Sequence, residues 1–412
     1  MTLPLAAYEG IVGSSVVGQL RRLGEKLSGL RVVHVNSTRQ GGGVAEILEW
    51  MVPLMRDLGL DASWEVIHGD TRFFEITKSI HNGLQGKSVD LSAKDWRIHK
   101  DISEQNMERL RPALAGADIV VIHDPQPAAL LGCCPERKGK WIWRAHIDIS
   151  RPFRPVWKFL RGIVGKYDAS IFSMSEFAQA LPHPQFLVPP SIDPLSDKNR
   201  ELSPEELEGT RAEFGLDPSR PLLVQISRFD RFKDPVGVIR AYRFVRKVAP
   251  VQLVLAGGGA TDDPEGNAVL DDVLDASEGE SDIHVLLLPS NSHRTVNALQ
   301  RMADIVLQKS TREGFGLTVT EALWKGKPVI GGDVGGIRLQ VVNHHTGFLV
   351  NTPEGAAHRI RYLLHHREKI LKMGETGREF VRENFLLTRH LREYLTLFLA
   401  LRTGSGERVL YV

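Results

Sequence analysis

A chain of 412 residues, 42% hydrophobic and 25% charged, is too long for a single hydrophobic core and too apolar to stay disordered, so two globular domains of about 200 residues are expected. Its 52 Lys and Arg stand against 50 Asp and Glu, and a net charge of +2 gives no electrostatic footprint for wholesale nucleic-acid binding. The two cysteines, Cys133 and Cys134, are adjacent and offer neither a disulfide framework nor a metal-ligand spacing, which fits a reducing compartment.

The first thirty residues carry Glu9, Arg21, Arg22, Glu25 and Lys26 without a long apolar core. Neither a signal peptide nor a spanning helix is expected there, and the chain reads as cytoplasmic with no membrane partner. Short apolar runs then alternate with amphipathic stretches, the pattern of an α/β protein with parallel strands and helical crossovers. Strands are expected at Arg31–Asn36, Ala62–Ile67, Ala117–His123, Lys140–His146, Ala169–Ser173 and Phe186–Val188. Ligands of open parallel sheets collect at strand carboxyl ends, so the tails His34–Asn36, His123-Asp124 and Arg144–Asp148 are expected to converge.

Between Pro189 and Pro221 the composition turns to Pro, Asp, Ser and Glu, which marks a domain boundary. A second alternating series follows, with strands expected at Pro221–Ile226, Gln252–Ala256, His284–Leu288, Ile305–Gln308 and Pro328–Ile330. The division expected is residues 1–192 and 193–388, two Rossmann-like domains. An amphipathic helix at about 389–405 closes the chain, with Leu391, Tyr394, Leu395, Leu397, Phe398 and Leu401 available for packing, and it can return to the first domain.

Four places carry candidate chemistry. Gly41, Gly42 and Gly43 sit between the first strand and a helical run, where backbone amides and a helix start can meet a phosphate or a sugar hydroxyl; a tight turn is the equal alternative. Arg228 and Lys233 follow the second domain's first strand and are placed to neutralise a leaving diphosphate, although a solvated surface loop has the same composition. Glu313, on a loop, and Glu321, a turn into the next helix, straddle Gly314-Phe315-Gly316-Leu317. Glu313 can face a sugar, the amides of the loop can bind hydroxyls or phosphate oxygens, and Glu321 can reach a ribose; helix-start acids favoured by the dipole are the alternative. His146 and Asp148 end an apolar strand, where a histidine is also a common satisfied core or rim residue, as are His34, His123 and Asp124.

Together these residues resemble the retaining glycosyltransferase family that includes the sucrose and glycogen synthases, which has a GT-B fold of two Rossmann-like domains with parallel sheets facing across a cleft. Glu313 and Glu321 around Gly-Phe-Gly-Leu, the pair Arg228 and Lys233, and Lys327-Pro-Val-Ile followed by Gly335-Gly336 carry the resemblance. Within it, the runs from His34 to Leu48, His81 to Gly86, His123 to Leu130, Trp143 to Asp148 and Pro189 to Ser196 are similar to the archaeal and thermophilic trehalose glycosyltransferring synthases. The resemblance implies transfer of glucose from a nucleoside diphosphate glucose to free glucose, forming α,α-trehalose reversibly, with the nucleotide sugar on the second domain and the acceptor on the first. It implies that His146 touches the donor glucose, that Glu313 supports its hydroxyls, and that Arg228 and Lys233 hold the diphosphate. Gly314, Phe315, Gly316, Leu317 and Glu321 fall to the nucleotide sugar, and Asn36, Gly41, Gly42, Gly43, Asp124, Gln126, Arg144 and Asp148 to the acceptor. A homodimer is also implied, and the cleft is expected to close around both sugars.

The glycine run Ala256–Thr261 departs from the pattern and leaves the preferred base open. No carboxylate cluster for a resident metal is visible, so no tightly bound cofactor is expected beyond Mg2+ accompanying the nucleotide diphosphate. Two other readings stay open: a retaining trehalose phosphorylase that uses inorganic phosphate, and a silent nucleotide-sugar-binding protein on the same scaffold.

Overall fold

A computed structural model describes residues 3–258 and 264–403; the Gly259-Ala260-Thr261 end of the glycine run lies outside the described residues. The chain divides into two compact units, one comprising the residues up to Ser191 together with those from Leu387 onward, the other Ile192–Leu386.

Each unit is built on a six-stranded, all-parallel sheet. In the first unit the strands are β1 (Arg31–Asn36), β2 (Asp61–Val66), β3 (Ile119–His123), β4 (Lys140–Arg144), β5 (Ala169–Phe172) and β6 (Gln185–Leu187). The second unit holds β7 (Leu222–Ile226), β8 (Gln252–Gly257), β9 (Ile283–Leu287), β10 (Ile305–Gln308), β11 (Val329–Gly332) and β12 (Gly347–Val350). Aliphatic and β-branched runs such as Ile119-Val-Val-Ile122 and Leu222-Leu-Val224 form the central strands because helices cover both faces, so every residue of β3, β7 and β8 is buried.

The order of the first sheet is β2-β1-β3-β4-β5-β6 and that of the second is β12-β11-β10-β7-β8-β9. The chain leaves β1 for β2 on one side and then crosses to β3 on the other. It likewise builds β8 and β9 on one side of β7 before crossing to β10. Each crossing opens a crevice at the strand carboxyl ends, between β1 and β3 in one unit and between β7 and β10 in the other. The candidate residues of both halves lie beside these two points.

The expected strands form, with ends shifted by a residue or two. β4 stops at Arg144 rather than reaching His146: the Ala145 N–H still donates to the Ile171 carbonyl of β5 at 3.0 Å, but the His146 N–H turns to Asp124 Oδ1 at 2.8 Å. β12 is an addition that periodicity did not reveal: four residues follow a turn in which His344 has φ 70°, too short a run to carry a pattern.

The last helix, Leu387–Thr403, belongs to the first unit although the whole second unit precedes it. It buries Leu391, Tyr394, Leu395, Leu397 and Phe398. Arg389 donates from Nη2 to the carbonyls of Pro189 and Pro190, at 2.9 Å each, and His390 Nδ1 lies 2.8 Å from Ser191 Oγ. No described helix is long and apolar enough to cross a membrane.

Candidate active site

In the second unit the crevice between β7 and β10 gathers charged residues from both strand exits. Lys233, in the short 3-10 turn Arg231–Lys233 after β7, places Nζ 2.5 Å from Glu313 Oε2. Ser310 Oγ donates to the same oxygen at 3.2 Å and Gln308 Nε2 approaches it at 3.5 Å. Glu313 Oε2 thus takes donors that end or follow two different strands, β7 and β10. Beside this pair, buried Lys309 is ion-paired with Asp234, which caps the helix Pro235–Arg246 from a left-handed conformation at φ 50°. Arg228 differs: its side chain is 70% exposed and, among the described residues, its ion-pair partner is Asp230, at 3.6 Å. Arg312 lies over the half-exposed ring of Phe232, 5.5 Å from its centroid.

The Gly314-Phe315-Gly316 loop is supported from beneath. Gln340 Nε2 donates to the carbonyls of Phe315 at 2.6 Å and Gly336 at 3.1 Å, and Gln340 Oε1 accepts from Thr320 Oγ1 at 2.5 Å. Gly316, at φ 85°, leads into the helix Leu317–Trp324. The Phe315 ring does not face the crevice; it is buried against Phe385, with centroids 5.6 Å apart. Glu321 is fully buried, and its Oε1 is 2.8 Å from Lys198 Nζ. Gln308, Lys309, Ser310, Gln340 and Lys198 were missed from sequence; Gln308 ends β10 and Lys309 and Ser310 follow it, where the strand-end rule applied to β7 would have found them.

In the first unit the tails of β1, β3 and β4 come together. Asn36, His123 and Arg144 occupy neighbouring register positions, and His34 Nδ1, the His123 ring and His146 Nε2 form a continuous hydrogen-bonded row. Asp124, at φ 65°, follows β3, and burial raises its carboxyl to about 6 despite the bond from His146 N–H and the nearby Arg144 charge. Burial also brings His34 down to about 3 and puts His123, His146 and His390 well below the usual histidine value, so all four are neutral near pH 7.

The other residues assigned to a sugar are more deeply used by the fold. Asn36 is buried, with Oδ1 accepting from Trp64 Nε1 at 2.9 Å and Nδ2 donating to the Thr38 carbonyl at 2.8 Å. Arg144 is fully buried; Nη2 reaches Ser173 Oγ at 3.4 Å, and burial works against its charge. Asp148 folds its own loop, accepting from Ser150 N–H at 2.9 Å and Oγ at 2.6 Å, and Gln126 is half-buried. Gly41 and Gly42 take φ 77° and 82°, and a Cβ on either would meet open space; the glycines are required by backbone conformation rather than by crowding. Gly43 opens the helix Gly43–Asp57.

Residues 34–179 match the family model "Trehalose synthase, N-terminal domain", and residues 208–380 match "Glycosyl transferases group 1". A trehalose synthase of Thermococcus litoralis is 47% identical over 398 residues, covering 95% of this chain and 96% of that protein. The chain belongs to the trehalose synthase family. It is accordingly a group 1 glycosyltransferase of a trehalose-forming family. A trehalose phosphorylase of Pleurotus pulmonarius is a more distant relative, 29% identical, covering 98% of this chain and 62% of that protein. The UDP-forming α,α-trehalose-phosphate synthase of Burkholderia xenovorans, solved in complex with glucose-6-phosphate, superposes with a TM-score of 0.71 at 14% identity, covering 90% of this chain and all of that one. This trehalose synthase family member thus has the GT-B fold, and its two candidate clusters sit at the switch point of each of its two sheets. Among the described residues, no group of three or more His, Cys, Asp and Glu is placed to hold a metal ion.

Proposed function

We propose that the chain is a retaining glucosyltransferase that takes glucose from a nucleoside diphosphate glucose and gives it to free glucose, forming α,α-trehalose reversibly. The observation that carries this reading is the Lys233–Glu313 pair at 2.5 Å beside the exposed Arg228, at the switch point of the second sheet. Such a site offers what glucosyl transfer from a diphosphate needs, fixed cations for the departing charge and a carboxylate oxygen for a sugar hydroxyl.

In this reading the bond from the glucose anomeric carbon to the diphosphate oxygen breaks while the acceptor oxygen attacks on the same face. The leaving phosphate oxygen takes the acceptor's proton, and the nucleoside diphosphate departs with Arg228 and Lys233 stabilising its charge. Glu313 supports the donor's hydroxyls and forms no covalent intermediate. His146 meets the donor glucose, Glu321 serves the ribose, and the first unit's cluster serves the acceptor. Mg2+ accompanies the diphosphate without a protein-built site, and the chain works in the cytoplasm as a homodimer, which would sediment at twice the 45.9 kDa chain mass.

The test is incubation with glucose and UDP-, ADP- or GDP-glucose, followed by chromatography and trehalase digestion. A non-reducing, trehalase-sensitive disaccharide formed only with a nucleotide sugar supports the proposal and ranks the donors. The Pleurotus relative keeps a second reading in view. Phosphorolysis of trehalose by inorganic phosphate, with no product from any nucleotide sugar, would replace the synthase reading with a phosphorylase.

A further inference from the structure

Three imidazoles of the first unit stand in one hydrogen-bonded row. His34 Nδ1 is 3.0 Å from His123 Nε2, and His123 Nδ1 is 2.8 Å from His146 Nε2. The His123 and His146 rings stack at 20° with centroids 5.1 Å apart, and His34 tilts by 31° at 5.3 Å. His34 and His123 are buried, and His146, at the outer end, is half-buried. Burial keeps each ring neutral, with the neighbouring Arg144 charge adding to the effect on His123 and His146.

A neutral imidazole has one N–H and one bare nitrogen. Each link in the row therefore needs a proton from one ring and a lone pair from the other. If His123 donates through Nδ1, its Nε2 must accept from His34; if it donates through Nε2, its Nδ1 must accept from His146. The three protons point the same way, so the state of His34 Nε2 at the inner end dictates the state of His146 Nδ1 at the outer end. His34 Nε2 is buried and has no hydrogen-bond partner among the described residues. An orphaned buried N–H is the rarer arrangement in folded proteins. A bare Nε2 there lets every N–H within the row donate, His34 to His123 and His123 to His146.

We infer that His34 and His123 are positioning residues that, through this row, hold the proton of His146 on Nδ1 and so present a hydrogen-bond donor to a sugar oxygen. The inference rests on the proposed glucosyl transfer only in giving His146 a sugar to meet. Neither inner histidine touches the sugar. They remove the freedom of His146 to divide between tautomers, and the Asp124 carboxylate bond to its backbone N–H fixes the loop that carries it.

The test reads the tautomer directly. In protein labelled with 15N-histidine, long-range proton–nitrogen correlations distinguish Nδ1–H from Nε2–H, and the His146 signals are assigned by their loss in His146→Gln. Unmodified protein is expected to show His146 protonated on Nδ1 alone. In His34→Leu the two tautomers of His146 are expected to mix, and kcat for trehalose formation to fall about tenfold with the acceptor KM within about twofold, the effect of one lost neutral hydrogen bond. His34→Asn, whose amide can donate where Nδ1 stood, should restore a single tautomer and most of the lost kcat. His146 protonated on Nε2 in the unmodified protein, or a tautomer unmoved by His34→Leu, overturns the inference. The first measurement uses unmodified, substrate-free protein, so it decides even if His34→Leu does not fold. It is also separable from the function: trehalose formation with an Nε2–H His146 sinks only the inference, whereas absence of trehalose with any donor sinks the functional reading.

Discussion

Lys233 and Glu313 lie eighty positions apart in sequence, yet their charged atoms are 2.5 Å apart with side chains 18% and 9% exposed. A pair this sheltered gains little net stability, because desolvation offsets most of the Coulomb attraction. In the proposed glucosyl transfer its use would be to hold an ammonium at a fixed place before charge develops on the leaving diphosphate. Lys233→Met is therefore expected to lower kcat by about 10²- to 10³-fold, roughly 3 to 4 kcal/mol of lost preorganised stabilisation, with a smaller change in acceptor KM in steady-state assays. The buried histidines predict how stability depends on pH. Burial lowers His34 to about 3 and His99 to about 4, so their contribution is complete above the unfolded value near 6.5 and is lost as pH falls toward those values. Asp124, raised to about 6, acts oppositely and offsets about one proton between its usual value and pH 6. Histidines outnumber it, so urea midpoints should fall from pH 7 to pH 5. His99→Gln should flatten that slope by about 1.4 kcal/mol per pH unit, one proton's worth; an unchanged slope would show that His99 is not neutral and buried.

At the scale of elements, the loops at the second switch point depend on close backbone contact. Gly335, at φ 44°, lies so near the loop above it that a Cβ would stand 1.8 Å from the Glu313 carbonyl oxygen. Gly335→Ala combines a left-handed penalty of about 1 to 2 kcal/mol with a collision against backbone that cannot turn aside. We expect the melting temperature to drop by more than about 4 °C and activity to fall with it, since Glu313 must shift; calorimetry and the trehalose assay check both. The glutamate pair was legible as a sequence pattern because its spacing is local to one strand exit, loop and helix, and Gly335-Gly336 was legible through the run Lys327-Pro-Val-Ile that precedes it. The burial of Glu321 against Lys198 was not legible: a residue one turn into a helix can face solvent or core, and only the packing of residues 193–201 decides. Phe315 is a similar case, read with the ligand loop but turned onto Phe385 by the packing beneath it.

At the scale of the molecule, the helix Leu387–Thr403 completes the first unit after the chain has built the second. Its five large apolar side chains are buried, and at about 1.5 to 3 kcal/mol each they contribute on the order of 10 kcal/mol, comparable with the whole stability of a domain. Residues 1–191 expressed alone should therefore be unfolded or aggregated, whereas residues 192–386 should give a cooperative thermal transition. A stable, cooperatively melting 1–191 fragment would contradict this account.

What the sequence determined by itself was whatever is written in neighbouring residues: two series of buried strands, the polar tails at the strand ends, and the glycine-flanked glutamates that carry the family resemblance. Local spacing and alternation encode these because strand period, turn chemistry and helix starts act over a few residues. Tertiary structure alone decided which of those residues meet. The row His34, His123 and His146 joins positions 89 and 23 residues apart, and the receiver of the last helix was settled by a bond between Ser191 and His390, 199 residues apart. No local pattern carries such pairings, because they arise only where strand order and the burial of apolar faces bring distant chain ends to one place.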